Sequence, residues 1–545
     1  MLIFTSAMKK ILVLLLLSAY FSFLTCYSQP RLVVGIVVDQ MRYDYIGKYW
    51  NKFGNDGFKR LVNEGFFCKN TNYNYVPTFT GPGHASIYTG ATPSVHGIVS
   101  NQWVDKDTKN NMYCAYDPSV ISVGGNISAG QMSPQNLISS TIGEELKRSS
   151  QNKSKVIGIA LKDRGAILPA GHNANAAYWY DGSNGNWITS SYYMKELPQW
   201  MNDFNKKELA KKYLSQQWTT ILPMEKYTES DADDDDCEQT FKGKDKPVFP
   251  YDLPALMDKN GKLGLIRNTP FGNSFTKDFA IETIKGENLG KGSAADFLCV
   301  SFSSTDYIGH QFGPQSVEVE DCYIRLDNDL AELLKFLDEW VGKNNVLVFL
   351  TADHGASEAV PCLQKKNIHA GVIDEKTVSD SLQKFFVRTY GDSLLMSVSD
   401  FDVYLDGKKI ADKKLSLEEV KTKTVQYLLK TEGVADAITS TDIQDKNFQD
   451  SIRSKVKAGF YPSRCGDIIF VLKPNWLEGY RKGTTHGSPY WYDTHVPLLW
   501  WGYNVKQGSS TEAITITQIA PTVSKLLKIS SPNGCTSKPI LSLVK

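Results

Sequence analysis

Four short runs of apolar residues, rich in valine, isoleucine and leucine, stand out along the chain. They span residues 32–38, 297–302, 346–350 and 496–501, and turn-forming or polar residues follow each of them. Runs of this length and composition are typical of buried strands in a sheet that helices cover on both faces. The pattern therefore predicts an α/β fold.

Helical periodicity fills much of the sequence between these runs. An amphipathic segment over residues 44–64 predicts one helix, with Gly65 as its stop. Residues 317–340 predict a long helix whose leucines, at helical spacing, form core rather than a site. Two stretches, at about residues 187–269 and 397–479, have a weaker pattern, and we interpret them as inserted cap modules.

Three of the predicted strands lead into an aspartate, and histidines lie close to two of these acids. The acids are Asp39, Asp306 and Asp353, and the histidines are His310, His354 and, before the last apolar run, His486. Ligands of open α/β sheets bind just outside the carboxyl ends of the strands. Carboxylate and imidazole groups suit zinc, manganese or similar divalent ions. Six such ligands exceed what one catalytic ion needs but suit two ions with three ligands each.

Charge and composition exclude some functions and indicate a cellular compartment. The 545 residues carry a net charge of +1, which gives no signal for binding nucleic acid or an anionic membrane. Lys9 and Lys10 precede an apolar run, so residues 1–28 are predicted to be a signal peptide, with translation starting at Met1 or Met8. We expect a periplasmic or secreted protein without a membrane span. Lipid anchoring at Cys26 is not expected, because Phe23 fits a lipid-attachment box poorly.

Cysteines and acidic residues give weaker signals. Eight cysteines follow the predicted signal peptide, and in an exported protein this even number permits disulfides whose pairing the sequence does not assign. Cys299 lies within a strand run and is predicted to be a buried thiol. The acidic run over residues 231–236 lacks the spacing of a calcium loop, so we expect a solvated loop.

The order of the short motifs carries a family resemblance. Asp39, the segment Thr-Phe-Thr80-Gly-Pro-Gly-His, Asp306-x-x-x-His310, Asp353-His354-Gly and His486-Gly together resemble the alkaline phosphatase superfamily over nearly the whole mature chain. Leu161-Lys-Asp-Arg-Gly-Ala, together with Ser100-Asn101, is similar to the PafA-type periplasmic alkaline phosphatases, which are phosphate monoesterases. The resemblance implies an alkaline-phosphatase-like central, mostly parallel sheet, flanked by helices and carrying the two inserted modules.

The resemblance also implies roles for individual residues. One zinc would be held by Asp306, His310 and His486, and a second by Asp39, Asp353 and His354, with Thr80 completing the second set. Thr80 would be the nucleophile and would form a phosphothreonine intermediate. Asn101, Lys162 and Arg164 would bind the phosphate. On an extended segment, Lys162 and Arg164 would point the same way and Asp163 away; His84 and His96 are expected to be structural.

The sequence leaves rival functions open. A phosphodiesterase or nucleotide pyrophosphatase of the same superfamily would share the six ligands and the threonine, although Lys162 and Arg164 favour a monoester with two negative charges. A sulfatase is disfavoured, because Thr80 stands where that class needs a modifiable Cys or Ser. A phosphate- or metal-binding protein without catalysis is a more remote alternative. The expected partners are small phosphate monoesters, with two zinc or similar divalent ions as cofactors, in a monomer that does not recognise nucleic acid.

Overall fold

The computed structural model describes residues 29–449 and 451–545. The predicted signal peptide, residues 1–28, lies outside the described residues. Within the described part of the chain, no helix combines the length and the apolar character needed to cross a membrane.

An eleven-stranded sheet forms the centre of the protein. In chain order its strands are β1 Leu32–Val38, β2 Phe66–Asn72, β3 Ser122–Val123, β4 Val156–Ala160, β5 Ala176–Asp181, β6 Asn186–Ser190, β7 Asp296–Phe302, β8 Val346–Thr351, β9 His495–Gly502, β10 Gly508–Ser510 and β11 Ile514–Thr515. Their spatial order is β10-β2-β9-β8-β1-β7-β4-β5-β6-β3, and β11 pairs with β2.

The middle of this sheet is its most buried part. β1 lies between β7 and β8 and runs parallel to both. Every residue of these three strands is buried, as expected where helices cover both faces of a sheet. β9 runs antiparallel to β8. The predicted α/β class with a central, mostly parallel sheet is confirmed.

Helices flank the sheet. Among the described residues, those of eight or more residues are α1 Thr80–Thr89, α2 Ile142–Ser149, α3 Asp163–Ala170, α4 Phe271–Gly286, α5 Ser304–Phe312, α6 Val317–Val341, α7 Glu375–Tyr390, α8 Leu417–Leu428, α9 Ile452–Gly459 and α10 Ile519–Leu527. The long predicted helix is α6, and its periodic leucines are fully buried in the core.

The single helix predicted over residues 44–64 is wrong. The structure has two short helices, Tyr45–Lys48 and Phe58–Glu64, separated by a turn. The Asp327 carboxylate of α6 accepts hydrogen bonds, each 2.7 Å long, from the backbone amides of Gly54 and Phe58. A side chain distant in sequence therefore stabilises the turn, and local periodicity does not report such a contact.

The first region of weak pattern lies beside the main sheet. Its first residues belong to β6, and after Ser190 the chain leaves the sheet to form the short helices Gln199–Asn205 and Leu209–Leu214. A small two-stranded sheet pairs Gln217–Trp218 with Tyr251–Asp252. A disulfide joins Cys237 of this region to Cys362, 125 residues away, whereas Cys299 is a buried free thiol, as predicted.

The second region of weak pattern contains a separate antiparallel sheet. Its four strands are, in spatial order, Leu395–Ser399, Asp402–Leu405, Ile468–Leu472 and Val434–Thr439. The sheet has an apolar core of its own, to which α7 and α8 contribute. It begins at Leu395, slightly before the boundary expected from the sequence; that either region acts as a cap stays a prediction.

Candidate active site

Three buried aspartates meet at one edge of the central sheet. Asp39 follows β1 directly, Asp353 follows β8 after one residue, and Asp306 lies in the first turn of α5, just beyond β7. Because β1, β7 and β8 are adjacent and parallel in register, their carboxyl ends meet at the same edge. The three residues are at most 3% exposed. The fold thus concentrates three carboxylates where water cannot stabilise them.

Three histidines turn their Nε2 atoms toward these carboxylates. The Nδ1 atoms of His310, His354 and His486 lie 2.8, 3.0 and 2.7 Å from the carbonyl oxygens of Thr484, Gly355 and Thr78. Such backbone contacts fix the tautomer and the ring orientation of metal-binding histidines. Burial lowers the pKa of His354 and His486, which favours the neutral imidazole that metal ligation requires.

Five of the six side chains form two groups that share His354. The ligand atoms of Asp39, Asp353 and His354 lie within 4.8 Å of one another, and so do those of Asp306, His354 and His486. The Nε2 atom of His310 is 3.1 Å from Asp306 Oδ1, and that of His486 is 3.7 Å from the same oxygen. His354 therefore lies between the two groups, and His310 approaches the second through Asp306.

Metal ions fit this donor set. Asp39 Oδ1 and His354 Nε2 are buried without a hydrogen-bond partner among the described residues, although buried polar atoms are almost always paired. These two atoms lie 3.5 Å apart. Carboxylate oxygen and imidazole nitrogen are donors that zinc and related divalent ions accept. Ions at the two groups would satisfy the unpartnered atoms.

Lys162 lies between the carboxylates. Its Nζ atom is 2.6 Å from Asp39 Oδ2 and 2.6 Å from Asp306 Oδ2. Burial, with repulsion from Asp306 and Asp353, raises the pKa of Asp39 well above its usual range, and Lys162 offsets only part of this. Burial also opposes ionisation of Asp306, but His310 and Lys162 outweigh it and hold the pKa of Asp306 well below its usual range. A positive charge beside these carboxylates therefore favours their ionised form.

Thr80 begins α1 beside this cluster. Its Oγ1 atom lies 3.5 Å from Lys162 Nζ, and the residue is 1% exposed. The backbone amide of Gly81 donates a hydrogen bond of 2.8 Å to Asn101 Oδ1. At Gly83, a Cβ would lie 2.5 Å from the carbonyl oxygen of Asp353. This close approach, which only glycine allows, brings the start of α1 against the carboxylates.

The predicted geometry of the Lys162–Arg164 segment is wrong. Only Lys162 has extended backbone angles, because α3 begins at Asp163. Lys162 therefore points toward Asp39 and Asp306, whereas the guanidinium of Arg164 lies 3.1 Å from the hydroxyl of Tyr113. Tyr113 also donates to the carboxylate of Asp163, so Asp163 is structural, as expected. The two cations come from a helix start and its first turn, not from one face of a strand.

Comparison with known proteins identifies the family. The family model for type I phosphodiesterase/nucleotide pyrophosphatase matches residues 33–502. Alkaline phosphatase PafA from Elizabethkingia meningoseptica is 44% identical and covers 95% of each chain. The chain belongs to the PafA-type alkaline phosphatases. A crystal structure of wild-type alkaline phosphatase PafA agrees, with a TM-score of 0.92 at 43% identity, over 95% of this chain and 99% of that one.

One further relative of this alkaline phosphatase has a different name. A protein from Myroides odoratus named calcium-transporting ATPase is 44% identical over 98% of this chain and 99% of its own length. The PafA relative is equally similar in sequence, and the crystal structure of PafA also matches this fold, so the assignment to the alkaline phosphatases holds.

Two residues of this alkaline phosphatase, Gln40 and Tyr113, contact the site although no sequence motif includes them. The Nε2 atom of Gln40 donates to Asp306 Oδ1 at 2.6 Å, and its backbone amide donates to Asp353 Oδ1 at 3.1 Å. Gln40 adopts a left-handed conformation, with φ of 65°, which is uncommon for a residue other than glycine. The contacts of Tyr113 were not expected from the sequence either. Gln40 gave one local signal, its position directly after Asp39. The contacts of both residues join distant parts of the sequence, which local patterns do not report.

His84 and His96 have the structural positions expected of them. His84 Nδ1 lies 2.9 Å from the carbonyl oxygen of Thr80 and 3.3 Å from Asp353 Oδ2, and its Nε2 lies 2.8 Å from Ser301 Oγ. His84 therefore links the start of α1 to the end of β8. His96 contacts Ser86 at 2.9 Å, one helical turn or more away from Thr80.

Proposed function

We propose that this protein is an exported alkaline phosphatase that hydrolyses small phosphate monoesters through a phosphothreonine intermediate at a two-zinc site. One observation carries the proposal: the Thr80 hydroxyl lies 3.5 Å from Lys162, which itself contacts two of the buried carboxylates. A nucleophile, a cation and a polyanionic metal-binding cluster are thus combined in one buried place. Their combination suits transfer of a phosphoryl group better than storage of phosphate or metal.

Six residues would hold the two ions. We assign Asp39, Asp353 and His354 to one ion, with Thr80 completing the set, and Asp306, His310 and His486 to the other. His354 belongs with the first set because its Nε2 lies 3.5 Å from Asp39 and 3.6 Å from Asp353. When bound, the ions would supply Lewis acidity, which lowers the pKa of a coordinated hydroxyl and stabilises a departing oxygen.

Thr80 would carry the covalent step. Its Oγ gives up its proton and attacks phosphorus, a bond forms between Oγ and phosphorus, and the bond from phosphorus to the ester oxygen breaks. The departing alkoxide takes up a proton and leaves as the alcohol. Water then attacks phospho-Thr80, releases inorganic phosphate and restores the hydroxyl. Thr80 is the first residue of the ten-residue helix α1, and a helix N-terminus favours negative charge on the oxygen.

Asn101, Lys162 and Arg164 would bind the transferred phosphoryl group. Lys162 can reach the non-bridging oxygens of a phosphoryl group on Thr80 Oγ1, because the two atoms are already 3.5 Å apart. Arg164 offers a forked donor, and its Nε has no partner among the described residues. Asn101 accepts from Gly81 through its oxygen, which leaves its amide hydrogens for substrate. Two cations match the two negative charges of a monoester better than the single charge of a diester.

The alternatives are distinguishable by substrate. The family model includes phosphodiesterases and pyrophosphatases, and the name of the Myroides relative refers to ATP. The terminal phosphoryl group of ATP has the same dianionic head as a monoester, so its hydrolysis is compatible with this site. A diester lacks that second charge, and Lys162 and Arg164 then have less to bind.

Chelation gives the first test. We expect purified enzyme to hydrolyse an aryl phosphate, to lose activity by about 100-fold or more after metal removal, and to regain it with added zinc. The thermal midpoint should fall in parallel, because Asp39, Asp306 and Asp353 would lose the counter-ions of a buried cluster. Full activity in metal-free protein would contradict the proposal.

Replacing Tyr113 should lower kcat/KM, because Tyr113 positions Arg164. In Tyr113→Phe, the hydroxyl that contacts Arg164 and Asp163 is lost, so Arg164 is less well positioned and kcat/KM for monoesters should fall about 10-fold. Steady-state kinetics with matched mono- and diesters would measure this. The fall in kcat/KM should be larger for the monoester than for the diester. The control is Tyr116→Phe, at a partly exposed tyrosine, which should leave kcat/KM for both esters unchanged.

A further inference from the structure

A tight turn of the second inserted module, the one with the four-stranded antiparallel sheet, lies against the active site. It consists of Asp400 and Phe401, which join the antiparallel strands Leu395–Ser399 and Asp402–Leu405. Both residues have a left-handed backbone, with φ of 50° and 70°. Two-residue hairpin turns of this kind usually contain Asn-Gly or Asp-Gly, and a positive φ is unfavourable for a bulky residue. Residues with such costly backbones are concentrated at functional sites.

The carboxylate of Asp400 holds Ser100 of the main domain. The hydroxyl of Ser100 donates a hydrogen bond to Asp400 Oδ2. Ser100 directly precedes Asn101, whose side-chain oxygen accepts from the amide of Gly81 at 2.8 Å. Gly81 in turn follows Thr80. These contacts connect the inserted module to a proposed phosphate-binding residue and to the start of α1.

The ring of Phe401 packs against Phe79. The two rings are nearly parallel, with an interplanar angle of 13° and centroids 6.2 Å apart. Phe79 is the N-cap residue of α1 and directly precedes Thr80. On its other side, the ring of Phe79 meets the ring of His486 edge to face, with centroids 5.5 Å apart. Aromatic rings at such distances attract one another, so Phe401 supports the residue beside the proposed nucleophile.

Gly487 allows both aromatic rings to approach the site. A Cβ at this position would lie 2.7 Å from an atom of the Phe79 ring and 3.1 Å from an atom of the Phe401 ring. The φ of Gly487 is 122°, which also favours glycine. Gly487 directly follows His486, a proposed zinc ligand. A third segment that carries a functional residue therefore meets the same turn.

The inserted module fixes the turn from the side away from the active site. The backbone amide of Phe470 donates to the carbonyl oxygen of Phe401 at 3.0 Å. The rings of these two residues are 5.8 Å apart at an angle of 85°. The backbone amide of Asp400 donates to the carboxylate of Glu375, the first residue of α7. The turn is thus part of a packed module.

We propose that Asp400 and Phe401 are positioning residues of the active site, through which the inserted module holds Thr80, Asn101 and His486 in their relative places. The contacts are made to the chain neighbours of these three residues, which come from distant parts of the sequence. Small displacements of catalytic groups cost large factors in rate, and this explains why the fold keeps an unfavourable turn. The inference rests on the proposed phosphatase function and gives the second inserted module a role in that function.

Asp400→Gly gives the first test. Glycine removes the carboxylate and suits the left-handed backbone, so the fold should tolerate the change, which calorimetry checks. We expect kcat/KM for an aryl phosphate to fall about 10-fold, because Asn101 loses the contact that fixes its neighbour Ser100. Asp400→Asn keeps an oxygen that can accept from Ser100 and should retain most of the activity.

A double-mutant cycle separates positioning from a general loss of stability. In an Asn101→Ala background, Asp400→Gly should cause a further loss of about twofold or less, because the residue that Asp400 helps to orient is already gone. The affinity of the zinc-loaded protein for inorganic phosphate, measured by calorimetry, should show the same pattern. A full further 10-fold loss of kcat/KM in the Asn101→Ala background would overturn the proposal.

Phe401→Ala should lower kcat/KM by about 100-fold, because the start of α1 loses its support beside Thr80. Phe401→Leu, which keeps apolar volume against Phe79, should lose less. The matched control is Phe385→Ala in the same module. The ring of Phe385 stacks on Tyr427, with centroids 4.5 Å apart, so its loss should lower Tm but leave kcat/KM unchanged.

A second control removes a different contact between the module and the main domain. Asp406 pairs with Lys109 at 3.0 Å, and Asp406→Ala should leave kcat/KM unchanged. Wild-type kcat/KM in both Asp400→Gly and Phe401→Ala, in an active enzyme, would overturn the positioning role and leave the proposed function intact. A wild-type protein without phosphatase activity would overturn both. Should Phe401→Ala fail to fold, the cycle of Asp400 with Asn101 decides.

Discussion

Thr80→Ala should lower kcat/KM for an aryl phosphate monoester by about 10,000-fold or more. The alanine removes the oxygen that forms the covalent bond to phosphorus, and residues that act as nucleophiles dominate the rates of covalent enzymes. Thr80 is buried at the start of α1, and the N-cap residue of this helix is Phe79 rather than Thr80, so the fold should tolerate the change. Calorimetry of the variant should therefore show a Tm close to that of the wild type.

Thr80→Ser is the matched control. Serine keeps the hydroxyl at the same position and loses only a methyl group, so most of the activity should survive. Rapid acid quench followed by mass spectrometry should find a phosphorylated peptide containing residue 80 in the wild type and the serine variant, but not in Thr80→Ala. Wild-type turnover by Thr80→Ala would rule out the covalent route.

Replacing both Lys162 and Arg164 with alanine should separate monoesters from diesters. Each residue offers a charge-assisted hydrogen bond worth about 2 kcal/mol, so together they account for about 1,000-fold in kcat/KM for a monoester. The same change should lower the rate on a matched diester by about 10-fold or less, because a diester has one negative charge fewer. The measurement is kcat/KM for both esters with the same leaving group.

The control for this double variant is a change of equal charge away from the site. Lys147 and Arg148 lie at the end of α2, and Arg148 is largely exposed. Replacing both with alanine should leave the two kcat/KM values unchanged. Equal losses on monoester and diester in the Lys162 and Arg164 variant would favour the phosphodiesterase interpretation instead.

The centre of the sheet and its acids were predictable because the signals are local. An apolar run leading into Asp39 or Asp353 reports both a buried strand and its end, and parallel neighbours bring such ends together. His310 follows Asp306 by four residues, which places both on one face of a helix. The sequence therefore predicted that these groups meet, and the structure brings them together.

Other features depend on contacts between distant residues, which periodicity does not report. The turn inside residues 44–64 is stabilised by Asp327. The partners of Gln40 are 266 and 313 residues away. The geometry of Arg164 was wrong because α3 begins at Asp163, so the alternation of a strand did not apply. Likewise, the sequence contains Cys237 and Cys362, but it does not indicate that these two cysteines form a disulfide.

Anomalous X-ray diffraction at the zinc absorption edge, on crystals of the purified protein, tests the two-metal site beside Thr80 most directly. We expect two peaks about 3.5–4 Å apart. One should lie against Asp39, Asp353 and His354, and the other against Asp306, His310 and His486. The two-metal site would be contradicted by a single peak or by peaks elsewhere in the molecule. It would also be contradicted by crystals that hydrolyse monoesters but show no peak.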